Sequence, residues 1–181
     1  MEQSNARKCV KRGTEGHTAF RFDIKARKNK KYDFRHFDQV NTSEKADRLC
    51  REIFEKEGFD IKVREQCIAL LFSKSLNLEG WIVLGIGGTS VYACDNLLLS
   101  KACVDTLAGS VILCHNHPSG NVRPSPQDTK MTESARKALD VFDIKLTDHI
   151  IIGEDTYFSF SEDRICLSET CNEKSEIRTD R

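Results

Sequence analysis

Residues 115–128 read HNHPSGNVRPSPQD, a stretch that sets two histidines one residue apart directly after a short apolar segment, Ser110–Cys114. Side chains two residues apart on an extended backbone point to the same side. We therefore expect His115 and His117 to aim both imidazoles at one point, with Asn116 facing away. The Pro-Ser-Gly that follows predicts a turn, after which the chain comes back toward the histidines.

The end of this stretch has the signature of a helix N-terminus. Ser125 is a preferred cap, Pro126 is a preferred first helical residue, and Asp128 stands where the acid of a capping box belongs. Asp128 could cap its own helix, or it could supply a carboxylate to a metal held by the histidines. Two histidines and one carboxylate are a common zinc set that leaves a fourth position open for water, which points to catalysis.

The hydroxyl of Ser125 has two candidate roles. It could serve only as the helix cap, or it could also hydrogen-bond the zinc-bound water or a developing oxyanion. The first role is purely structural and the second is catalytic, and the residues alone leave both open.

A three-ligand zinc also needs a general base to take the proton of its water. Glu65 is the best upstream candidate, because it begins an apolar segment that reads as a core strand, where an acid is costly to bury. On the residues alone, Glu65 could equally face solvent at a strand end or pair with Arg64 or Lys62. Four other acids compete for the role of base: Glu52, Glu55, Glu57 and Glu79.

Hydrophobic periodicity and turn residues predict a mixed α/β fold rather than the strict alternation of a doubly wound sheet. Helices are expected where apolar residues recur at helical spacing between a cap and a glycine, and strands where short apolar runs are bounded by turn signals. The predicted elements, in chain order, are a helix at 41–58, strands at 61–73 and 81–86, a helix at 95–109, a strand at 110–114, a helix at 125–142, and strands at 145–152 and 157–160.

Charge and composition divide the chain into a basic extension at residues 1–40, a domain at 41–163 and a charged tail at 164–181. The formal net charge is zero, but residues 7–35 hold eleven lysines and arginines against three acids. This arm is either a solvated, partly disordered extension or a docking surface for nucleic acid. The residues expected at a nucleic-acid interface are Arg27, Lys28, Lys30 and Lys31.

The eight cysteines do not read as a disulfide framework. Most lie in apolar or helical patterns, where a cysteine behaves as a small hydrophobic residue. Basic residues interrupt any early apolar run that could form a signal peptide, and no segment reaches the length of a membrane span. We therefore expect reduced thiols and a cytoplasmic location.

Together these residues resemble the JAMM (MPN-plus) metalloprotease family, and specifically its RadC-type bacterial branch. HNHPSG followed by PS-x-x-D, at His115–Asp128, is characteristic of that branch. The resemblance covers about residues 41–163 and includes a strand that begins at Glu65. It also includes a Gly-Gly-Thr-Ser turn at residues 87–90, the segment DHIIIG at 148–153, and YFSF at 157–160.

The resemblance implies an MPN-type (JAMM, cytidine-deaminase-like) α/β fold, with a mixed curved sheet sandwiched by helices. It implies zinc held by three side chains, a glutamate as general base, and a serine that hydrogen-bonds the tetrahedral intermediate. His149, in DHIIIG, would be either a buried structural residue or a second-shell residue near the zinc. The implied zinc ligands are His115, His117 and Asp128, the base is Glu65 and the serine is Ser125.

The leading functional hypothesis is a zinc-dependent hydrolase of peptide or isopeptide bonds. The alternative is a DNA-associated accessory protein of repair or mobile elements that uses the basic arm, since the branch is linked by name to DNA repair. Residues 7–35 do not resemble the helix-hairpin-helix region of longer members, which weakens that alternative. A zinc deaminase would need an H-x-E and a downstream P-C-x-x-C, and neither motif occurs.

Overall fold

A computed structural model describes residues 32–34, 37, 39–87 and 94–168. One six-stranded sheet, in the order β2-β1-β3-β4-β5-β6, carries the described helices on its faces, so the predicted mixed α/β class is confirmed. Strands β3 and β4 are parallel and all other neighbours are antiparallel. The elements are α1 (Ser43–Lys56), β1 (Gln66–Phe72), β2 (Leu78–Ile86), α2 (Asn96–Thr106), β3 (Ser110–Asn116), α3 (Pro126–Asp140), β4 (Lys145–Ile152), β5 (Thr156–Ser159) and β6 (Arg164–Leu167).

Alternate residues of the two central strands supply two separate cores. Ile68 of β1 and Cys114 of β3 belong to the core beneath α1, whereas Ala69 and Leu113 belong to the core beneath α2 and α3. Successive side chains of a strand point to opposite faces. The residue after Cys114 therefore lies on the α2 and α3 face, and the following residue returns to the α1 face.

Described residues on both sides of the predicted domain contact it. Strand β6, which lies in the predicted charged tail, pairs with β5 along its whole length. Val40 is buried in the core beneath α1, and Phe34 and Phe37 pack against that core. Strand pairing and aromatic packing add these contacts, which local composition does not reveal, and the domain bounds of 41–163 stay a prediction.

Strand β1 begins five residues later than predicted. Residues 61–64 form a turn, in which the amides of Lys62 and Val63 donate to the side chain and carbonyl of Asp60. An aspartate that accepts from the following amides favours a turn over an extended strand. Glu65 thus lies at the junction between this turn and β1, rather than inside the strand.

Several predictions concern residues outside the described ranges. They are the basic arm with Arg27, Lys28, Lys30 and Lys31, residues 88–90 of the Gly-Gly-Thr-Ser turn, and the tail after residue 168. Among the described residues, the cysteines are free thiols. No helix in the described part of the chain is long and apolar enough to cross a membrane.

Candidate metal centre

Three chain segments converge at the end of the central strand β3. His115 is buried near the end of β3, and His117 follows just after the strand, with its amide donating to the carbonyl of Ile152 at 2.9 Å. The loop then turns back to α3, whose first turn holds Asp128. A Cβ on Gly153 would lie 2.7 Å from Val122 in this loop, so the glycine allows the β4–β5 turn to pack closely against it.

The structure brings the three predicted ligands together. The Nε2 atoms of His115 and His117 are 3.0 Å apart. The Oδ1 atom of Asp128 lies 3.2 Å from His115 Nε2, and its Oδ2 atom lies 3.5 Å from His117 Nε2. One ligand atom from each residue lies within 4.8 Å of the others.

The geometry of Asp128 is compatible with both of the roles that its sequence context allows. Its Oδ2 accepts from the amide of Ser125 at 2.7 Å, and its own amide donates to the Ser125 hydroxyl at 3.2 Å, which completes a capping box. The same carboxylate faces the two imidazoles through Oδ1 and Oδ2. The helix cap therefore orients the carboxylate toward the histidines, so the cap does not exclude a part in metal binding.

A buried chain of hydrogen bonds determines the tautomer of His115. The Thr132 hydroxyl donates to the Asp128 carbonyl at 2.7 Å, so its 2.7 Å contact with His149 Nδ1 requires that this ring nitrogen donate. His149 Nε2 is then unprotonated and accepts from His115 Nδ1 at 2.8 Å. The proton of the His115 ring is therefore on Nδ1, which leaves a lone pair on Nε2.

His117 has the same tautomer for a different reason. Its Nδ1 lies 2.7 Å from the carbonyl oxygen of Asn121, which can only accept, so Nδ1 donates. The two Nε2 atoms and the Asp128 carboxylate then face one another. Converging groups of this kind must share a cation, which is a proton or a metal ion, and outer hydrogen bonds to Nδ1 orient metal-ligating imidazoles. The donor set therefore fits a metal ion.

The pKa values of these groups follow from the same contacts. Burial favours a higher pKa for Asp128, but hydrogen bonds and charge from His115 and His117 hold its pKa well below the usual range. Burial favours a lower pKa for His117, but Asp128, the Asn121 carbonyl and the charge of Glu65 raise its pKa. Burial and the neighbouring His115 keep the pKa of His149 far below its usual value, so His149 is neutral.

Glu65 lies beside this group of ligands. Cys67 pairs with His115 in the antiparallel register, and the same register continued by two residues would put Glu65 opposite His117. Its negative charge acts on the His117 imidazole. The side chain of Glu65 is half-buried.

Ser125 is the N-cap of α3, and its hydroxyl oxygen accepts from the Asp128 amide. The Ser125 side chain also hydrogen-bonds the Asp128 carboxylate, which contributes to the lowered pKa of Asp128. Ser125 is therefore tied to Asp128 through its amide and its hydroxyl, beside the two histidines.

The sequence reasoning missed two residues around the ligands. Thr132 lies one helical turn after Asp128, and that i, i+4 spacing is a signal that could have identified it. Asn121 contributes only a backbone carbonyl, which no side-chain pattern could have revealed. The sequence allows His149 to be a buried structural residue or a partner of the zinc ligands. The structure buries it fully, with a hydrogen bond to His115 and its ring stacked on that of Phe160 at a centroid distance of 4.8 Å.

Replacing Thr132 with valine should lower the free energy of unfolding by about 1–3 kcal/mol, because the Nδ1 proton of buried His149 would lose its acceptor. The matched control is Thr129→Val, which changes an exposed threonine in the same helix, α3. Its hydroxyl bonds only the Ser125 carbonyl, and the change should stay within about 0.5 kcal/mol. Urea unfolding of both variants measures the difference, and equal values would contradict the hydrogen-bond chain.

The fold and this group of side chains define a class: a mixed α/β domain in which two histidines and one carboxylate that could hold a metal ion meet at the end of a central strand. Comparison with models of known protein families identifies the family. Residues 40–165 match the model of the RadC-like JAB domain, which is more than two thirds of the chain. The chain therefore belongs to the RadC-like JAB domain family, and the predicted RadC-type membership is confirmed.

Individual relatives agree with this assignment. The chain is 41% identical over 101 residues to a UPF0758 protein of Porphyromonas gingivalis, covering 55% of this chain and 44% of that protein. It is 39% identical over 118 residues to a UPF0758 protein of Aquifex aeolicus, covering 64% of this chain and 50% of that protein. The chain thus spans about half the length of these relatives.

Proposed function

We propose that this domain is a zinc-dependent hydrolase of peptide or isopeptide bonds. The observation that carries the proposal is the arrangement of His115, His117 and Asp128, whose ligand atoms converge while the charge of Glu65 acts on His117. A structural zinc site is normally closed by four protein ligands, whereas a set of three leaves a position for water or substrate. Three converging ligands therefore favour catalysis over a structural site.

Zinc is the metal that this donor set favours. Imidazole nitrogen and carboxylate oxygen are ordinary zinc ligands, and two histidines with one carboxylate occur in zinc hydrolases. Zinc held there would lower the pKa of a coordinated water and polarise the carbonyl of the scissile bond. The hydrogen bonds from His115 to His149 and from His117 to Asn121 would keep both ligand nitrogens deprotonated.

Glu65 would act as general base and then as general acid. Its carboxylate would accept the proton of the attacking water and return that proton to the leaving nitrogen, which needs an acid to depart as an amine. The half-buried position supports this role, because the carboxylate is accessible to a substrate yet lies next to the ligands.

Ser125 would stabilise the negative charge that develops on the carbonyl oxygen. Its hydroxyl would turn from the Asp128 carboxylate to donate to that oxygen, while the hydroxyl oxygen keeps accepting from the Asp128 amide. A donor fixed by a helix cap needs little reorganisation when the charge appears.

The test is to capture a substrate with the zinc-loaded Glu65→Ala protein in a bacterial lysate. This variant retains all three ligands and should bind a substrate without turning it over. Captured proteins should then lose a peptide segment or a conjugated partner when they are incubated with zinc-loaded wild-type protein. Mass spectrometry before and after incubation identifies the bond that breaks.

The control for this experiment is the His117→Ala protein, which lacks one of the proposed ligands. Used in place of the wild-type enzyme, it should leave the captured proteins unchanged. Wild-type protein that contains no stoichiometric metal after purification in zinc-containing buffer would contradict the proposal. So would captured proteins that wild-type protein leaves intact. Recovery of nucleic acid, with affinity that falls steeply with salt, would instead support a DNA-associated role for the basic arm.

A further inference from the structure

Asn116 lies between two of the ligand residues but has no part in the ligand set. It is fully buried, and strand alternation places its side chain on the α1 face, opposite to the imidazole of His115. A buried carboxamide must have its hydrogen bonds satisfied within the protein. The hydrogen-bond partners of Asn116 therefore show which part of the backbone this side chain stabilises.

Within the described residues, the Asn116 side chain makes three hydrogen bonds, and all of them go to the backbone of residues 61–66, which lead into β1. Its Oδ1 accepts from the amide of Gln66 at 2.8 Å. Its Nδ2 donates to the carbonyl of Ile61 at 2.8 Å and to the carbonyl of Arg64 at 2.9 Å. The groups on Arg64 and Gln66 are the backbone groups immediately before and after Glu65.

The rest of this segment provides little side-chain packing around the proposed base. The side chains of Lys62, Val63 and Arg64 are exposed. The ladder between β1 and β3 begins only at Cys67, which pairs with His115. The hydrogen bonds of the Asn116 side chain thus continue the connection between β3 and β1 beyond the end of the ladder, to the residues that precede the proposed general base.

Gly87 holds Glu65 from the opposite side, at the end of β2. Its amide donates to the Glu65 carbonyl at 2.7 Å, and a Cβ on Gly87 would lie 3.2 Å from the Cβ of Glu65. The backbone of Glu65 is therefore held between Gly87 and Asn116. Both contacts act on the main chain, which leaves the carboxylate free to reach the site.

We propose that Asn116 is a positioning residue that sets the distance between the metal ligands and the general base. It lies in the same three-residue segment as His115 and His117, so its bonds to residues 61–66 connect Glu65 to the ligands through a short and buried path. This inference rests on the proposed function, because it gives Glu65 the role of base. It adds a residue that takes no part in binding metal or moving a proton.

The first measurement is amide hydrogen exchange, which needs no metal and no substrate. In the wild-type protein the Gln66 amide should exchange slowly, like the amides of β1, because it donates to Asn116 Oδ1. In Asn116→Ser it should exchange at least about fivefold faster, the effect expected from loss of one ordinary hydrogen bond. The control is Asn77→Ser, an exposed asparagine in the turn at the other end of β1, which should leave Gln66 protected.

The second measurement distinguishes positioning from a general loosening of the structure. Cobalt(II) loaded in place of zinc gives visible absorption bands that respond to the groups around the metal. Asn116→Ser should retain one metal per chain and should change these bands in the direction that Glu65→Gln changes them. In the Glu65→Gln background, Asn116→Ser should cause no further change, because its effect passes through Glu65.

Each outcome decides the inference. Wild-type cobalt bands in Asn116→Ser, or an equal change in both backgrounds, would overturn it. Fast exchange of Gln66 in the wild-type protein would overturn it too, even if Asn116→Ser does not fold. A wild-type protein that binds no metal would refute the proposed function instead, and the exchange result would still show whether Asn116 holds this segment. If a substrate is found, kcat of Asn116→Ser should fall about 10²-fold with KM little changed.

Discussion

Replacing His117 with alanine should remove the metal from the protein, with a loss of affinity of at least about 100-fold. Changes to outer hydrogen-bonding partners of metal ligands already cost 10- to 100-fold, and removing a ligand costs more. Only His115 and Asp128 would remain to hold the ion, and the position of His117 Nε2, 3.0 Å from His115 Nε2, would be empty. Zinc content after dialysis, with competition against a chelator of known affinity, measures the change.

The matched control for this variant is Asn121→Ala. It removes a side chain from the same loop but retains the backbone carbonyl that accepts from His117 Nδ1. The side chain of Asn121 accepts only from the Arg123 amide, so metal affinity should change less than about threefold. If His117→Ala were to retain wild-type affinity, the three residues could not be the ligand set.

Replacing Glu65 with glutamine should lower hydrolysis by about 10²- to 10⁴-fold, the usual contribution of general acid–base catalysis. Glutamine has nearly the same shape as glutamate but does not accept a proton at neutral pH. The loss should appear in kcat, and metal content should stay at the wild-type level because Glu65 is not among the converging ligands. The assay uses the substrate identified by capture, at several concentrations, with metal content measured on the same samples.

Glu79→Gln is the control for Glu65→Gln. Glu79 is an exposed glutamate near the start of β2, and it was one of the acids that competed for the role of base on sequence grounds. Its replacement should leave kcat unchanged. A Glu65→Gln protein with wild-type kcat would show that another group takes the proton, and the proposed mechanism would then be wrong.

Much of the candidate site could be predicted from local patterns. His115 and His117 follow an apolar strand, and their spacing puts them on one face without any knowledge of the fold. Ser125 and Asp128 carry a capping box, which the structure contains. These predictions succeeded because each depends on contacts among residues that are close in the chain, where backbone geometry limits the arrangements that are available.

The sequence could not determine how Asp128 divides its oxygens between the helix cap and the histidines. It also could not decide whether His149 is only a core residue. His149 contacts His115 because β3 and β4 are parallel neighbours, and Thr132 reaches His149 because α3 packs over β4. These contacts join residues 17 and 34 positions apart, and no local pattern encodes them.

Asn116 shows the same limit most clearly. Alternation along the strand correctly predicts that it faces away from the histidines, and on that ground it would be ignored. Its three bonds cross 50 to 55 residues to the segment that carries Glu65. The family, the mixed α/β class and the set of candidate ligands follow from motifs and short-range periodicity, so they can be read from the sequence. The hydrogen bonds that orient those ligands and hold the candidate base beside them join distant segments, and they are visible only once strand pairing has brought those segments together.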